Sequence, residues 1–309
     1  MADSADAFAD LAEADLRAVF DGADYVADDR LVTTVYLALR MGKPLLVEGD
    51  PGSGKTELGK VLAEGFDTEL VRLQCYEGLA AEHALYEWNY TKQLLSVQSG
   101  DGGVDADEGV FSEDYLFERP LLRALTHDGP MPPVLLIDEV DRADEEFEAF
   151  LLEVLSDFQV SIPEYGTVAA DQPPIVVITS NRTRALSDAL KRRCLYLHVE
   201  PPSFDAEYEI VRRKVPGLDA AVAAEVCAIV QELRDEAFLK QPGVAETLDW
   251  ARALATLRGD DGEKPIDAAE LERTLSALLK EAEDVERIDD ELLERLEDAA
   301  REAREAAVA

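Results

Sequence analysis

Five short apolar runs in the first two thirds of the chain predict buried β-strands. None of them alternates polar and apolar positions, which is the pattern of strands covered on both faces. Segments with helical spacing of apolar residues lie between these runs, as in residues 28–40. This order predicts an α/β core in which helices cover both faces of a parallel sheet. The predicted strands are residues 44–48, 69–73, 134–138, 175–179 and 195–199.

Two regions interrupt this plan. The first is an insert at about residues 76–118, which contains a Gly- and Asp-rich stretch at 99–109 that is typical of a mobile acidic loop. The second, residues 158–168, predicts a small hairpin that turns around Pro163-Glu164. The insert opens with three aromatic residues, which either pack it onto the core or grip a client protein; they are Tyr86, Trp88 and Tyr90.

The pattern changes after Pro201-Pro202, where helical periodicity takes over. We therefore predict a P-loop domain at residues 1–202, which begins with a helix at 3–20, and a smaller all-helical domain at residues 203–309. The helices predicted in the second domain are residues 205–214, 219–239, 244–257, 267–280 and 288–306.

Composition narrows the class of protein. The chain has 309 residues, of which 47% are hydrophobic, enough for two ordinary domains with real cores. No apolar run approaches the length of a membrane span, and the acidic start lacks the order of a signal peptide, so we expect a cytoplasmic protein. The three cysteines are scattered and lack metal-ligand spacing, which argues against a disulfide framework or a zinc site.

Charge is the unusual feature of this composition. The 67 acidic residues outnumber the 30 basic ones, and the net charge is −37. The electrostatic field of this negative charge repels the phosphate backbones of DNA and RNA, so nucleic acid is a poor candidate partner. The acids are spread along the chain, which favours a solvated surface suited to a high-salt, halophilic cytoplasm. Docking of one basic partner is the rival interpretation.

A complete GxxxxGK[ST] motif lies between a predicted strand and a predicted helix, which is the context the motif requires. Its glycines allow the backbone N–H groups to wrap a phosphate, and the helix N-terminus adds favourable electrostatics. We expect Lys55 to reach the β- and γ-phosphates of ATP and the Thr56 hydroxyl to bind Mg²⁺. The predicted nucleotide-binding residues are Gly49, Asp50, Pro51, Gly52, Ser53, Gly54, Lys55 and Thr56.

A second motif ends the strand at residues 134–138. We expect Asp138 to hold Mg²⁺ and Glu139 to polarise the attacking water. The alternative is that Asp138 and Glu139 only begin a helix, where acidic residues are common, and have no role in catalysis. Asn181, which follows the strand at 175–179, is either an ordinary turn residue or the group that orients the water.

The cluster Lys191-Arg-Arg193 is a rare basic stretch in this acidic chain. It ends a predicted helix, where the dipole favours cations whatever their function. The functional interpretation is an arginine finger that reaches the γ-phosphate bound by a neighbouring subunit.

The order of these motifs resembles that of AAA+ ATPases, and more narrowly the MoxR group and its CoxD-like branch. The branch is indicated by the stretches at residues 46–57, 72–78, 87–92 and 192–196. The resemblance covers roughly residues 25–260. It implies an αβα core with a helical lid, and a ring, expected to be a hexamer, with ATP at the subunit interfaces.

The resemblance also implies a function and a set of roles. The activity would be chaperone-like remodelling, or metal-centre maturation, of a client protein, and proteins of this group often work with a von Willebrand factor A-domain partner. Asn181 would be the sensor-1 residue and Arg193 the finger, with Arg192 as the alternative. The family's lid arginine has no counterpart at residues 243–250, and Arg252 is the nearest substitute.

Two functions follow from these patterns. One is a ring-forming ATPase that remodels a partner, and the other is a low-turnover nucleotide switch that binds a partner. The joint presence of Glu139, Asn181 and Arg193 favours turnover, because a pure switch does not need all three.

Overall fold

A computed structural model describes residues 7–99, 112–163, 165–259 and 262–308. Three sequence predictions fall partly on other residues. The start of the helix predicted at 3–20, most of the acidic stretch at 99–109 and position 164 of the hairpin lie outside the described residues.

The chain separates into two compact units. The first consists of residues 1–23, 27–49 and 55–198, and the second of residues 24–26, 50–54 and 199–309. The domain boundary near residue 202 stays a prediction.

The first unit holds every strand of the described chain, apart from Val199, the last residue of β9. Its first long helix after the N-terminal segment is capped by Asp28, whose side chain accepts a hydrogen bond from Leu31 N–H at 2.7 Å. Its elements are α1 (Glu13–Gly22), α2 (Asp29–Met41), β1 (Leu45–Gly49), α3 (Lys55–Gly65), β2 (Leu70–Gln74), α4 (Ala81–Leu85), β3 (Tyr86–Trp88), α5 (Tyr90–Ser99), β4 (Leu116–Glu118), α6 (Pro120–Leu125), β5 (Val134–Asp138), α7 (Glu145–Asp157), β6 (Gln159–Ile162), β7 (Gly166–Ala169), β8 (Ile175–Ser180), α8 (Asp188–Arg193) and β9 (Leu195–Val199).

A five-stranded sheet in the order β2-β5-β8-β1-β9 forms the centre of this unit. The pairs β2–β5, β5–β8 and β8–β1 are parallel. Every residue of β1, β5 and β8 is buried, as expected for strands with helices on both faces. The predicted α/β core with a parallel sheet is confirmed, and each predicted strand lies within one residue of an observed one.

The insert contains a hairpin that the sequence pattern did not predict. β3 and β4 pair antiparallel, with Tyr86 opposite Glu118 and Trp88 opposite Leu116. Each strand has only three residues, too few for a periodicity to be recognised. Trp88 is buried and Tyr86 packs against the core, which supports the packing interpretation for these two, whereas Tyr90 is 63% exposed.

The second hairpin is confirmed. β6 and β7 pair antiparallel from Gln159–Ala169 to Ile162–Gly166, within one residue of the prediction. Phe158 adopts a left-handed conformation at φ 48° and ends α7, so the strand begins one residue later than its apolar pattern suggests.

After Val199, the last residue of β9, the described part of the second unit is helical except for loops and a short 3₁₀ turn at Leu275–Ala277. Its core surrounds Trp250, which is fully buried and donates its indole N–H to the Thr274 hydroxyl at 2.8 Å. A buried ion pair between Arg234 and Glu207 lies beside this core. Its helices are α9 (Phe204–Lys214), α10 (Ala220–Arg234), α11 (Val244–Arg258), α12 (Ala268–Thr274), α13 (Ala282–Glu286) and α14 (Asp290–Val308).

Two predicted helices of this unit are too long, and one short helix was missed. The helix predicted at 219–239 ends at Arg234, and the one predicted at 267–280 ends at Thr274. The first stops early because the buried carboxylate of Asp284, on the missed helix α13, accepts the backbone N–H groups of Leu239 and Lys240. A long-range bond of this kind leaves no trace in local periodicity.

Within the described ranges, every helix is too short or too polar to cross a membrane.

Candidate nucleotide and metal site

The parallel register brings the ends of four strands to one edge of the sheet. Gln74 lies beside Asp138, and Ile137 lies beside Ile178, so that Asp138 and Thr179 end neighbouring strands. Glu48 of β1 pairs with Ser180 of β8. Carboxyl edges of parallel sheets are where ligands of α/β proteins commonly bind.

The phosphate loop between β1 and α3 has the backbone shape that its glycines permit. Gly52 and Gly54 have φ values of 81° and 88°, a region that side-chain-bearing residues rarely adopt. Ser53 N–H donates to the carbonyl of Asp50 at 3.3 Å, which closes the turn. Successive N–H groups in such a turn form an anion-binding concavity.

The first turn of α11 lies against this loop. Ala245 N–H donates to the Gly52 carbonyl at 3.2 Å. A side chain at Gly243 would meet the Pro51 carbonyl oxygen at 3.0 Å, so any larger residue would crowd the backbone of the loop. Glu246 closes the helix start by accepting Gly243 N–H at 3.1 Å.

Lys55 begins α3 and is 6% exposed. Its ammonium group donates to the Gly49 carbonyl at 2.8 Å, which fixes the side chain along the end of β1. A buried lysine at the start of a helix has the charge and the position that a polyphosphate needs.

Asp138 is the most heavily bonded carboxylate of this edge, with 3% of the residue exposed. Its Oδ1 accepts the hydroxyls of Thr56 at 3.0 Å and Thr179 at 2.5 Å. Its Oδ2 accepts the guanidinium of Arg72, with Nη2 at 2.5 Å and Nε at 3.1 Å.

The oxygen atoms of Thr56 and Asp138 fit a magnesium ion. Mg²⁺ prefers hard oxygen ligands and is usually held by one or two protein groups together with phosphates and water. No cluster of three or more His, Cys, Asp or Glu side chains that could hold a metal occurs among the described residues. A single carboxylate with a hydroxyl therefore suits a nucleotide-bound ion better than a metal cage.

Glu139 has a strained backbone, with φ at 55° in the left-handed region. Its N–H donates to Thr179 Oγ1 at 2.9 Å, so Thr179 connects both acids of the motif. Its Oε2 accepts Gln74 Nε2 and Arg142 Nη1, each at 3.1 Å. The carboxylate is half-buried and held by two donors.

The roles of Arg72, Gln74 and Thr179 were missed by sequence reasoning, although Arg72 and Gln74 lie in a stretch used for the family resemblance. The prediction that no strand alternates is wrong for β2, where the exposed residues 72 and 74 alternate with the buried apolar residues 71 and 73; this alternation was the available signal. Two polar residues two apart on a strand share one face of the sheet.

Asn181 lies directly after β8, at the same edge as the acids. Its backbone N–H donates to Asp141 Oδ1 at 3.1 Å, and Asp141 Oδ2 accepts the N–H and the hydroxyl of Thr183. Burial acts to raise the pKa of the Asp141 carboxyl, but these hydrogen bonds outweigh it and hold the pKa below its ordinary value. Asp141 therefore fixes the backbone on which Asn181 is mounted.

We expect Asp141→Asn to lower the free energy of unfolding by about 1–3 kcal/mol at neutral pH, because the amide replaces a charged acceptor of three hydrogen bonds. Since the folded-state pKa is depressed, this contribution is present above the unfolded-state pKa of about 4 and is lost as the pH falls through the folded-state value. Urea unfolding of wild type and variant at a series of pH values measures the difference.

The matched control for that series is Asp128→Asn, a change at an exposed position. It should leave stability unchanged throughout. A difference for Asp141→Asn that does not shrink below about pH 4 would show that charge plays no part.

Arg192 and Arg193 occupy the last turn of α8, as predicted, and both are exposed. Within the described part of the chain, neither guanidinium group has a hydrogen bond or ion pair. Arg252, the suggested lid substitute, is instead paired with Asp249 of its own helix, with Nη1 at 3.3 Å from Oδ1.

Comparisons with known proteins bear on the class and the fold of the chain. Residues 44–194 match the model of the AAA domain, dynein-related subfamily. An uncharacterized protein of Staphylococcus haemolyticus is 26% identical over 259 residues, covering 81% of this chain and 90% of its own length. One of Staphylococcus saprophyticus is 24% identical over 256 residues, covering 80% and 89%.

Among solved structures, a RuvB mutant from Thermotoga maritima superposes with a TM-score of 0.52 at 17% identity, over 82% of this chain and 70% of that one. This likeness shows the fold, an α/β P-loop core with a helical region after it. The AAA domain match supports an AAA+ ATPase that binds ATP, a class that hydrolyses nucleotides and typically forms oligomeric rings.

Proposed function

We propose that this chain is an AAA+ ATPase of the MoxR group, CoxD-like branch, which hydrolyses ATP with Mg²⁺ to remodel a protein client. The observation that carries the proposal is the direct bond between Thr56 and Asp138, with Glu139 next along the chain and joined to the same Thr179 hydroxyl. These contacts support a metal site at Thr56 and Asp138 with a carboxylate beside it that would act as a base.

Each residue of the candidate site would have its own role in ATP hydrolysis. The loop at residues 50–54 would bind phosphate through its N–H groups, and Lys55 would exchange the Gly49 carbonyl for phosphate oxygens. Thr56 and Asp138 would hold Mg²⁺, which neutralises charge that develops on the transferred phosphoryl group. Glu139 would accept a proton from water, and Asn181 would orient that water.

The last part of the proposal concerns assembly of the chain into a ring. Exposed arginines without partners within the described residues, at positions 192 and 193, suit a role that is completed by another subunit. We propose a hexamer in which Arg193 reaches the neighbouring site and Arg192 is the alternative finger. The client would be an enzyme under maturation or metal-centre assembly, with a von Willebrand factor A-domain partner, in a high-salt cytoplasm.

A nucleotide switch with low turnover is the second candidate. One observation favours it: the Glu139 carboxylate is held by Gln74 and Arg142, and Asp138 by Arg72, contacts that would slow the activation of water. A switch would bind ATP, change its partner affinity and hydrolyse slowly.

ATP hydrolysis and particle size, measured together in high-salt buffer, separate the two functions. For the remodelling ATPase we expect steady Mg²⁺-dependent turnover, on the order of 1 s⁻¹ or faster, and a large particle in the presence of ATP. EDTA should abolish turnover. Binding of ATP by an idle monomer would favour the switch, and absence of ATP binding would overturn both.

A further inference from the structure

The loop between β8 and α8 is fastened at two points to the chain that follows β5. At the first point, Asp141 accepts the backbone N–H of Asn181, as described above. At the second point, the carboxylate of Glu148 holds the last part of the loop. Its Oε2 accepts the backbone N–H of Ser187 at 3.0 Å, and its Oε1 lies 2.5 Å from Nη2 of Arg184.

Glu148 lies in the first turn of α7 and is only 2% exposed. A buried carboxylate is costly unless a positive charge or hydrogen bonds compensate it. Its Oε1 accepts no hydrogen bond within the described residues, so the adjacent charge of Arg184 is what compensates it. Arg184 is held in turn by a hydrogen bond from Nη2 to the Ala143 carbonyl at 2.6 Å, just before α7. The pair therefore fixes the loop to the start of α7.

The element that follows this loop is the short helix with the exposed arginines. Ser187 is its N-cap and accepts Leu190 N–H at 3.3 Å through the side-chain hydroxyl, so Glu148 binds the residue that begins the helix. α8 has only six residues, and a helix this short has little stability of its own. Its direction depends on what holds its two ends. One end continues into β9, and Glu148 holds the other.

We propose that Glu148 is a positioning residue for the arginine finger: by holding Arg184 and Ser187 it aims α8 at the γ-phosphate bound by the neighbouring subunit. This role rests on the proposed function and deepens it, because it adds a residue that acts on hydrolysis in the next subunit. Glu148 is buried and acts through the helix, without contact to ATP or to the attacking water.

Other roles for Glu148 make different predictions. If Glu148 only supported the fold, its loss would weaken every function of the chain alike. If it supported its own site, through the loop that also carries Asn181, its loss would spare the finger that the chain gives to its neighbour. A loss confined to the finger leaves the chain's own phosphate loop and base intact. Rings mixed from two variants separate these cases.

The test is ATP turnover of Glu148→Ala, alone and mixed in equal amounts with each of two inactive variants. Alone, it is expected to lose about 10–10²-fold in turnover, because misplacing a catalytic group by about 1 Å can have an effect of this size. Its ATP affinity should stay within about twofold of wild type, because its own phosphate loop shares no contact with Glu148.

The mixtures give the decisive result. Glu139→Gln lacks the base and keeps the finger, so Glu148→Ala mixed with it should regain activity at roughly a quarter of the interfaces. Arg193→Ala lacks the finger, so the mixture of Glu148→Ala with it should show no recovery. The reverse pattern would assign Glu148 to its own site, and no recovery in either mixture would assign it to the fold. Both results overturn the inference.

The reference mixture combines Glu139→Gln with Arg193→Ala. If this mixture forms rings and stays inactive, the proposed finger is wrong, which overturns the role of Glu148 as well. If it recovers, a failed prediction for Glu148→Ala concerns Glu148 alone. Glu153→Ala changes an exposed acid of the same helix and is the matched control, which should keep wild-type turnover.

A double variant, Glu148→Leu with Arg184→Met, serves if Glu148→Ala fails to fold. It replaces both charges by apolar side chains of similar volume, a change that is often neutral or stabilising for a buried pair. It also removes the acceptor of Ser187 N–H, so it should show the same loss of turnover and the same pattern in the mixtures. Wild-type turnover of the double variant would overturn the inference.

Discussion

Glu139→Gln is expected to lower ATP turnover by about 10²–10⁴-fold, the range of general-base catalysis, with ATP binding retained. The amide has the size of the carboxylate and can still accept a bond from Gln74 or Arg142, so the local packing survives. It cannot take a proton from water. Single-turnover hydrolysis and nucleotide titration, measured on the same samples, separate the two effects.

The control for this prediction is Glu64→Gln, an exposed change on α3. It should behave as wild type. Turnover that stays within a factor of about two in Glu139→Gln would mean that the acidic pair is merely a helix start, since loss of a general base cannot be so small.

Arg193→Ala is expected to lower turnover by about 10³-fold or more, as for other arginine fingers, without loss of ATP binding. Arg193 is exposed and lies in the last turn of α8. The loss should therefore come from the neighbouring subunit's site and not from a change of fold. Steady-state kinetics of the isolated variant measures the loss.

Mixing two inactive variants tests more sharply whether Arg193 acts on the site of a neighbouring subunit. In a ring assembled from equal amounts of Arg193→Ala and Glu139→Gln chains, roughly a quarter of the interfaces pair an intact base with an intact finger. Activity should return in the mixture although each variant alone is inactive. No recovery in a mixed ring would place Arg193 in its own subunit's site.

Two variants of the same helix turn complete the comparison. Lys191→Ala removes an exposed cation from the same turn and should leave turnover unchanged. Arg192→Ala tests the alternative finger, and a loss larger than that of Arg193→Ala would reassign the role.

The elements that sequence predicted best are those encoded within a few consecutive residues. The strand at 134–138 and the loop that ends in Lys55 and Thr56 each combine an apolar run or a glycine spacing with local chemistry. Distant segments pair with both elements, but their bounds follow from these local patterns, so pattern and structure agree there.

The parts that were missed depend on contacts between distant segments. Arg72 meets Asp138 only because of the β2–β5 register, and Asp141 reaches Asn181 across 40 residues of chain. β3 meets β4 only through long-range pairing. Periodicity reports burial of a local face and carries no register, so these contacts require the structure.

The first turn of α11 has a mechanical consequence. The main chain of the phosphate loop, at the Gly52 carbonyl, is tied to Ala245 N–H, with glycine on both sides of the contact. α11 has 15 residues and so is about 22 Å long, with Trp250 seated in the core near its middle. Because the middle of α11 is fixed in the core, a displacement at the first turn of the helix would move its last turn in the opposite direction. A phosphate that reshapes the loop is then expected to move the far end of α11 through these backbone contacts, although residues 243–250 contain no arginine.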